Sequence, residues 1–293
     1  MTGIKRTIQT IMLAGGLGLC LAPTIWSCFS SHVAADQIQS YHEQTKQIDQ
    51  SQLNALWNQA ERWNELLAGH LPENQIGILE LANTGEQAFE QAINDEVLPY
   101  DQQLCVLDHG VMGILHIPRI DVTLPIYHGV EEEALSKGAG HLPSSSLPIG
   151  SSNSRCVLSA HRGLMSSELF TRLDEMEKGD LFQIENPRQT MAYEVESIDV
   201  ILPEEVEKLA IVEGQDLVTL VTCTPYGIND HRLLVTGHRV EWNEQVEQKI
   251  SEPVSTRPSL REQIFRTWPW MMAVLVALVL FISWRSSRRK ELK

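Results

Sequence analysis

Short β-rich runs separated by turn signals fill the middle of the chain, and they restrict the fold more than any other feature of the sequence. Gly138 with Gly140, Lys178–Asp180 and Asn186–Pro187 are among the stretches that predict turns. Seven such strands within about 130 residues, with only brief helical insertions, predict a mainly β fold in the form of a closed or nearly closed barrel. The predicted strands are residues 112–117, 122–126, 155–160, 180–185, 191–201, 216–222 and 232–240.

Helices are predicted at two places beside these strands. Residues 37–70 carry apolar side chains at spacings of three and four, which predict a helix with one apolar face: Leu53, Leu56, Trp57, Ala60, Trp63 and Leu67. Packing of this face against the domain is favoured over a surface for a partner protein. Residues 166–176 predict a short helix with Ser166 or Ser167 as its N-cap. Residues 71–100 predict an acidic loop with one short helix over 86–94.

Both ends of the chain carry apolar stretches. Residues 268–284 hold no charged residue, begin and end with tryptophan, and precede a basic tail with five Lys or Arg residues. Their 17 residues would span roughly 25 Å as a helix, so a membrane helix is favoured over a buried core helix. Lys5 and Arg6 precede a second apolar stretch, which is either a signal peptide or a membrane anchor. In both cases the middle of the chain faces the outside of the cell.

These features predict six regions. They are a signal peptide or anchor (1–35), a helical segment (36–109), the barrel (110–242), a polar linker (243–267), a membrane helix in the lipid bilayer (268–284) and a cytoplasmic basic tail (285–293).

Charge and cysteine content exclude several classes of function. The formal net charge of −15 is a poor match for nucleic acid, because phosphate contacts need clustered Lys and Arg. The five cysteines are odd in number and form no CxxC pair, so neither a disulfide framework nor a zinc site is predicted. No phosphate-binding loop or metal cluster is present in the sequence, and no cofactor or metal is expected.

One cysteine, Cys223, ends an apolar run and precedes Pro225, which cannot continue a strand ladder. By residue type alone it could be buried, disulfide-bonded, a metal ligand or a nucleophile. His161 also ends a predicted strand, and Arg232 begins one. If these strand ends meet at one rim of the barrel, the cysteine could attack, the histidine could protonate a leaving group and the arginine could hold a carbonyl oxygen. Composition alone favours a structural cysteine.

Three ordered motifs resemble the sortase family. They are "GVMGILHIPRIDVTLPIYHGVEEEALSKGAGHLPSSSLPIG" at 110–150, "VLSAHRGLMSSELFTRLDEMEKGD" at 157–180 and "TLVTCTPYGINDHRLLVTGHR" at 219–239. The sequences of these motifs are most similar to those of class C, the pilus-assembling subgroup. The resemblance implies an eight-stranded barrel and a membrane-bound cysteine transpeptidase of Gram-positive bacteria. Cys223 would be the nucleophile, His161 the general acid and base, and Arg232 the residue that stabilises the carbonyl oxygen.

The resemblance also implies the reaction and the partners. A sortase cleaves an LPxTG-like sorting signal between Thr and Gly through a thioester, and a class C sortase transfers the acyl group to a lysine amine of a pilin. The alternatives are a housekeeping sortase, which attaches surface proteins to a peptidoglycan precursor, and a non-catalytic barrel anchored in the membrane. Leu202–Gly214 would line the groove for the signal.

This sequence departs from the class C pattern in one feature. Members of this class carry a lid with an Asp-Pro-aromatic motif before the barrel, whereas residues 71–108 contain no such triplet. Leu98–Tyr100 is a poor substitute, because it lies close to the start of the barrel. On this pattern, either the inhibitory lid is absent or another aromatic residue fills the groove.

Overall fold

Eight strands form a closed barrel in the computed structural model, which describes residues 15, 16, 18, 33–70, 97–106, 110–163, 167–251, 271 and 274. The strands are β1 (Val111–Ile117), β2 (Val122–His128), β3 (Ala139–His141), β4 (Ser154–Ser159), β5 (Leu181–Glu185), β6 (Thr190–Ile201), β7 (Asp216–Thr224) and β8 (His231–Val240).

The order of the strands around the barrel is β1-β2-β3-β4-β7-β8-β6-β5, and β5 pairs with β1 to close it. The β2/β3 and β4/β7 pairs are parallel, and the other pairs are antiparallel. This order makes β4, β7 and β8 neighbours. It confirms the predicted barrel and brings distant parts of the sequence together at one rim.

The seven predicted strands are present with slightly shifted ends, but the eighth, β3, was not predicted. The predicted turn at Gly138 and Gly140 is wrong for Gly140, which lies within β3. A Cβ at Gly140 would collide with the carbonyl oxygen of Gly129 and with the Leu135 side chain, so only glycine fits there. A three-residue strand of Ala, Gly and His carries no β-branched or aromatic signal that would reveal it.

The helix predicted over residues 166–176 is also wrong. Within the described part of this segment, only a single 3-10 turn forms at Leu173–Glu175. Leu169 has a φ of 41°, which no α-helix accommodates, and the Phe170 N–H donates to His161 O at 3.1 Å. The apolar residues of this segment are buried because the chain folds back towards the end of β4: Leu169, Phe170, Leu173 and Met176.

The helix predicted over residues 37–70 is broken in two. Residues 33–45 form α1, and Gln50–His70 form α2. Asp49 lies in the break and caps α2, since its carboxylate accepts hydrogen bonds from the Ser51 and Gln52 N–H groups at 2.7 and 3.0 Å.

The apolar face of α2 packs against the barrel, as predicted. Trp57, Ala60, Trp63 and Leu67 are buried. Asn64 fastens the helix further by donating to Leu147 O at 3.2 Å and accepting from Leu147 N at 2.7 Å. The helix therefore belongs to the same body as the barrel, in a compact unit that runs over His32–Val254.

Two more α-helices complete the described part of this unit. The short α3 (Glu132–Leu135) lies between β2 and β3, and α4 (Glu244–Ser251) follows β8. The start of the predicted polar linker is thus helical instead. Ile250 of α4 is buried beside Leu181 and Ala192, which explains why this polar segment is ordered.

The second unit contains Met1–Ser31 and Ser255–Lys293, of which five residues are described, all helical. The predicted signal peptide or anchor, the predicted membrane helix and the basic tail lie almost entirely outside the described residues, as does the predicted helix at 86–94. None of the helices within the described residues has the length and apolar character that crossing a membrane requires.

Candidate active site

Three neighbouring strand ends bring the predicted site residues to one rim of the barrel. Cys223 of β7 lies directly opposite Arg232 of β8 in the antiparallel pair. Side chains of directly opposed residues project from the same face of a sheet. In the parallel pair, Ser159 of β4 lies beside Val221 of β7, and continuing this register by two residues sets His161 level with Cys223.

The end of β4 is bound to β7 beyond the last paired residues. Ala160 N donates to Val221 O at 3.2 Å. Thr222, which is buried, donates from its hydroxyl to Ala160 O at 2.8 Å. The side chain of Thr222 is therefore bonded to the chain that leads into His161, on the opposite face of β7 from Cys223.

Cys223 differs from Cys156 in its surroundings. Neither forms a disulfide, and Cys223 is half-buried near the end of its strand. Cys156 is buried in the barrel core, and this burial raises the pKa of its thiol. Because the thiolate is the nucleophilic form, Cys156 is a poor nucleophile, whereas Cys223 is open to solvent at the rim.

His161 faces a carboxylate that no motif in the sequence indicates. Its Nε2 lies 3.1 Å from Oε2 of Glu132 at the start of α3. With Nε2 occupied in this way, Nδ1 is the ring nitrogen left for a thiol or a leaving group. Glu132 is one of three consecutive glutamates, and nothing in such a run distinguishes the middle one.

Other histidines of the barrel make contacts of a structural kind. Both ring nitrogens of His128 lie within 2.8 Å of carbonyl oxygens, those of Gly110 and Gln103. Burial lowers the pKa of His116. His231 pairs with Asp230 at 2.8 Å. His161 is therefore the described histidine best placed to serve Cys223.

Arg232 is partly tethered and partly available. Its Nη1 donates to Asn229 O at 3.2 Å, in the turn between β7 and β8, and to His231 O at 3.0 Å, at the start of β8. Nε and Nη2 have no hydrogen-bond partner among the residues that the structure describes. The guanidinium is thus fixed at one corner and has donors free for an oxygen near Cys223.

Exposed apolar side chains surround this rim. Ile201, the last residue of β6, is paired with Arg232, so Leu202 and the connection to β7 begin beside the site. The large hydrophobic residues exposed near the end of β6 and on the β7–β8 turn are Val200, Leu202, Tyr226 and Ile228. An apolar peptide segment bound here would cover side chains that are otherwise in water.

Among the described residues before the barrel, we find no candidate for a lid over the active site. Residues 71–96 and 107–109 lie outside the description. Tyr100 is buried, and its hydroxyl lies 2.8 Å from His141 Nδ1 and accepts from Gly129 N at 2.9 Å. Its ring stacks at 5.8 Å from that of His141. Tyr100 is therefore a core residue, which agrees with the expectation that Leu98–Tyr100 is a poor substitute for a lid motif.

Comparison with known proteins gives a consistent result. The sortase domain profile matches residues 115–240. Sortase D of Bacillus subtilis (strain 168) is 31% identical over 131 residues, which cover 44% of this chain and 63% of that protein. The chain spans between 40% and 63% of the length of the curated relatives that it matches.

Solved structures match over a longer region. The crystal structure of sortase C1 from Streptococcus agalactiae is 36% identical, with a TM-score of 0.61 over 71% of this chain and 100% of that one. Sortase C of Streptococcus pneumoniae, whose structure was described for catalysis and pilin substrate specificity, is 36% identical, with a TM-score of 0.58 over 71% and 97%. Agreement of this extent, across the barrel and the helices before it, shows that the chain belongs to the sortase family of cysteine transpeptidases, among its class C members.

Proposed function

We propose that this chain is a pilin-polymerising transpeptidase. It cleaves an LPxTG-like sorting signal between Thr and Gly and transfers the acyl group to a lysine amine of a pilin subunit. The observation that carries the proposal is the meeting of Cys223, Arg232 and the end of β4 before His161 on three neighbouring strands. The likeness to class C sortases supports pilin as the substrate class.

Acylation begins with the thiolate of Cys223 and the protonated ring of His161. Sγ attacks the carbonyl carbon of the signal threonine, and the oxyanion that forms accepts hydrogen bonds from Arg232. The C–N bond to glycine then breaks, and His161 gives its proton to the departing amine. A thioester between Cys223 and threonine remains.

Deacylation reverses these roles with a different amine. The neutral lysine amine attacks the thioester carbonyl, and His161 takes a proton from the attacking nitrogen. The C–S bond breaks, Cys223 leaves as the thiolate, and an isopeptide bond joins the two subunits. The thioester retains the acyl-transfer potential of the cleaved peptide bond. When the site excludes water, the lysine amine can therefore react with the thioester before hydrolysis does.

The location of the chain is part of the same proposal. Residues 268–284 cross the cell membrane, residues 285–293 remain in the cytoplasm, and the unit with the barrel faces the outside, where pilin substrates are joined. The uncharged tryptophan-bounded stretch and the basic tail support this orientation. Digestion of intact protoplasts by an added protease should remove the barrel and leave a tail epitope protected.

Incubation of the full chain in detergent micelles with an LPxTG-like peptide tests the proposed chemistry. We expect the Cys223-containing peptide to gain the mass of the acyl group, and a lysine-bearing pilin fragment to discharge it as an isopeptide. Cys105→Ser is the matched control, since it removes another half-buried cysteine that forms no disulfide and should leave the reaction intact. Discharge to peptidoglycan precursor but not to pilin lysine would instead favour a housekeeping sortase, and no acylation at all would favour a non-catalytic barrel.

A further inference from the structure

The two residues that follow His161 and Cys223 are joined by their side chains. Arg162 Nη1 donates to the hydroxyl of Thr224 at 2.8 Å. Thr224 is the last residue of β7, and β4 has already ended at Ser159. The backbone pairing between β4 and β7 has therefore stopped, and on this side the Arg162 side chain takes its place.

The bond from Arg162 completes a bracket around Cys223. On the other flank, the Thr222 hydroxyl donates to Ala160 O at 2.8 Å. Both neighbours of Cys223 are thus bonded to the two neighbours of His161. With one of these bonds missing, the strand end that carries the thiol would be free to move relative to the loop that carries the imidazole.

The guanidinium of Arg162 is built into the protein. Its side chain is only 8% exposed, and Nη2 forms an ion pair with Asp174 in the 3-10 turn Leu173–Glu175. A buried guanidinium is costly unless a carboxylate compensates it, and Asp174 provides that charge. Asp174 consequently fixes the Arg162 guanidinium, which in turn is bonded to Thr224.

A second contact covers the same loop. Gly163 has a φ of 83°, and a Cβ there would overlap the ring of Tyr226 from the β7–β8 turn. The loop after His161 is therefore in close contact with the turn that follows Cys223. Glycine is needed at this position both for its backbone conformation and for the space that the ring occupies.

Arg162 is not itself placed to contact a substrate carbonyl. Nη1 and Nη2 are occupied by Thr224 and Asp174, and Nε is buried. Arg232, by contrast, has no partner for Nε and Nη2 within the described part of the chain. The two arginines therefore have different tasks, and the task of Arg162 must be carried out through its neighbours.

We infer that Arg162, supported by Asp174, is a positioning residue that fixes Cys223 relative to His161 through its bond to Thr224. This inference rests on the proposed function, because the proton transfer that it serves is that of the transpeptidation. Proton transfer needs donor and acceptor within about 2.6–3.2 Å, and a shift of about 1 Å at a reacting group costs up to about 100-fold in rate.

Two substitutions test the inference on the full chain in detergent micelles. Thr224→Val removes the acceptor hydroxyl at nearly constant volume, and Asp174→Asn removes the charge behind Arg162. Each should lower kcat for peptide cleavage about tenfold while KM stays within about twofold, as expected when only the transition state is affected. The matched control is Glu175→Gln, which breaks the Arg172–Glu175 ion pair on the same turn and should leave kcat unchanged.

A double-mutant cycle isolates the bond itself. If Arg162 acts through Thr224, the double variant Arg162→Lys with Thr224→Val should lose no more activity than the more impaired single variant. Additive losses, a rise in KM with unchanged kcat, or wild-type kcat in Thr224→Val would each overturn the inference.

Alkylation of Cys223 by iodoacetamide tests the inference without any turnover, so it separates this idea from the proposed function. His161→Ala should change the alkylation rate in the wild-type background by at least about threefold, and this difference should disappear in the Thr224→Val background. If His161→Ala has the same effect in both backgrounds, or none in the wild type, Arg162 does not position the pair. Absence of thioester in the wild type would refute the transpeptidase proposal while leaving this measurement decisive. Alkylation is measured below the melting temperature of each variant, so loss of folding cannot imitate the result.

Discussion

Replacement of Arg232 by lysine separates the charge of this residue from its geometry. The guanidinium is anchored through Nη1 to the carbonyl oxygens of Asn229 and His231, and Nε and Nη2 remain for an oxyanion. A lysine ammonium keeps the charge but is a single point with no rigid fork, so it cannot be anchored in the turn and still reach the oxyanion.

The expected loss follows from the number of donors removed. Loss of one oxyanion donor typically costs about 100- to 1,000-fold in kcat. Because the retained charge compensates in part, we expect Arg232→Lys to lower kcat about 100-fold, with KM for the signal peptide within about threefold.

The assay is steady-state cleavage of a fluorogenic LPxTG-like peptide by the full chain in micelles, together with a melting curve. Arg188→Lys is the matched control, because Arg188 is an exposed arginine outside the rim whose guanidinium lies over the Trp57 ring at 4.8 Å. A kcat within about threefold of wild type in Arg232→Lys, or a loss confined to KM, would refute oxyanion stabilisation by the guanidinium.

Three further predictions concern the surroundings of the site. Glu132→Gln should lower kcat only about two- to fivefold, since the ion pair with His161 is exposed, and Glu133→Gln is its control; an unchanged kcat would mean that Glu132 does not orient the ring. Tyr100→Phe should lower the free energy of unfolding in urea by about 1–3 kcal/mol, because Gly129 N–H and His141 lose a buried partner, with kcat per folded molecule unchanged. Burial lowers the pKa of His141 from 6.5 to about 4, so the stability contributed by its neutral ring is complete above pH 6.5 and is lost as the pH falls through about 4. Urea midpoints should therefore fall between pH 7 and pH 4, and a fall of equal size in His141→Gln would contradict this assignment.

The barrel could be predicted because the local sequence of most of its strands favours β structure. β6, β7 and β8 are long enough for β-branched and apolar residues to dominate, and turns bound them clearly. β3 has three residues and depends on glycine fitting against Gly129 O, which is a tertiary requirement without a local signal.

The helix predicted over residues 166–176 does not form, for a related reason. Leu169, Phe170, Leu173 and Met176 recur at helical intervals, but burial is reached by a turn in which Leu169 has a positive φ. Periodicity reports which residues face the core and not how the backbone takes them there.

The candidate site likewise contains residues that the sequence predicts and residues that it does not. Cys223, His161 and Arg232 were found because each ends or begins a strand within a recognisable motif. Glu132 and Asp174 come from separate segments, and their contacts with His161 and Arg162 depend on how the chain folds around the rim. A residue that acts by holding another one has no chemical signature of its own in the sequence.

Detection of the acyl-enzyme is the most direct measurement of the central claim. The full chain, mixed with an LPxTG-like peptide and quenched in acid, should carry the acyl group as a hydroxylamine-sensitive thioester on the peptide that contains Cys223. Cys223→Ala should carry none, and His161→Ala should accumulate it far more slowly. An acyl group on Cys105 or Cys156, or peptide cleavage by Cys223→Ala at the wild-type rate, would contradict the account.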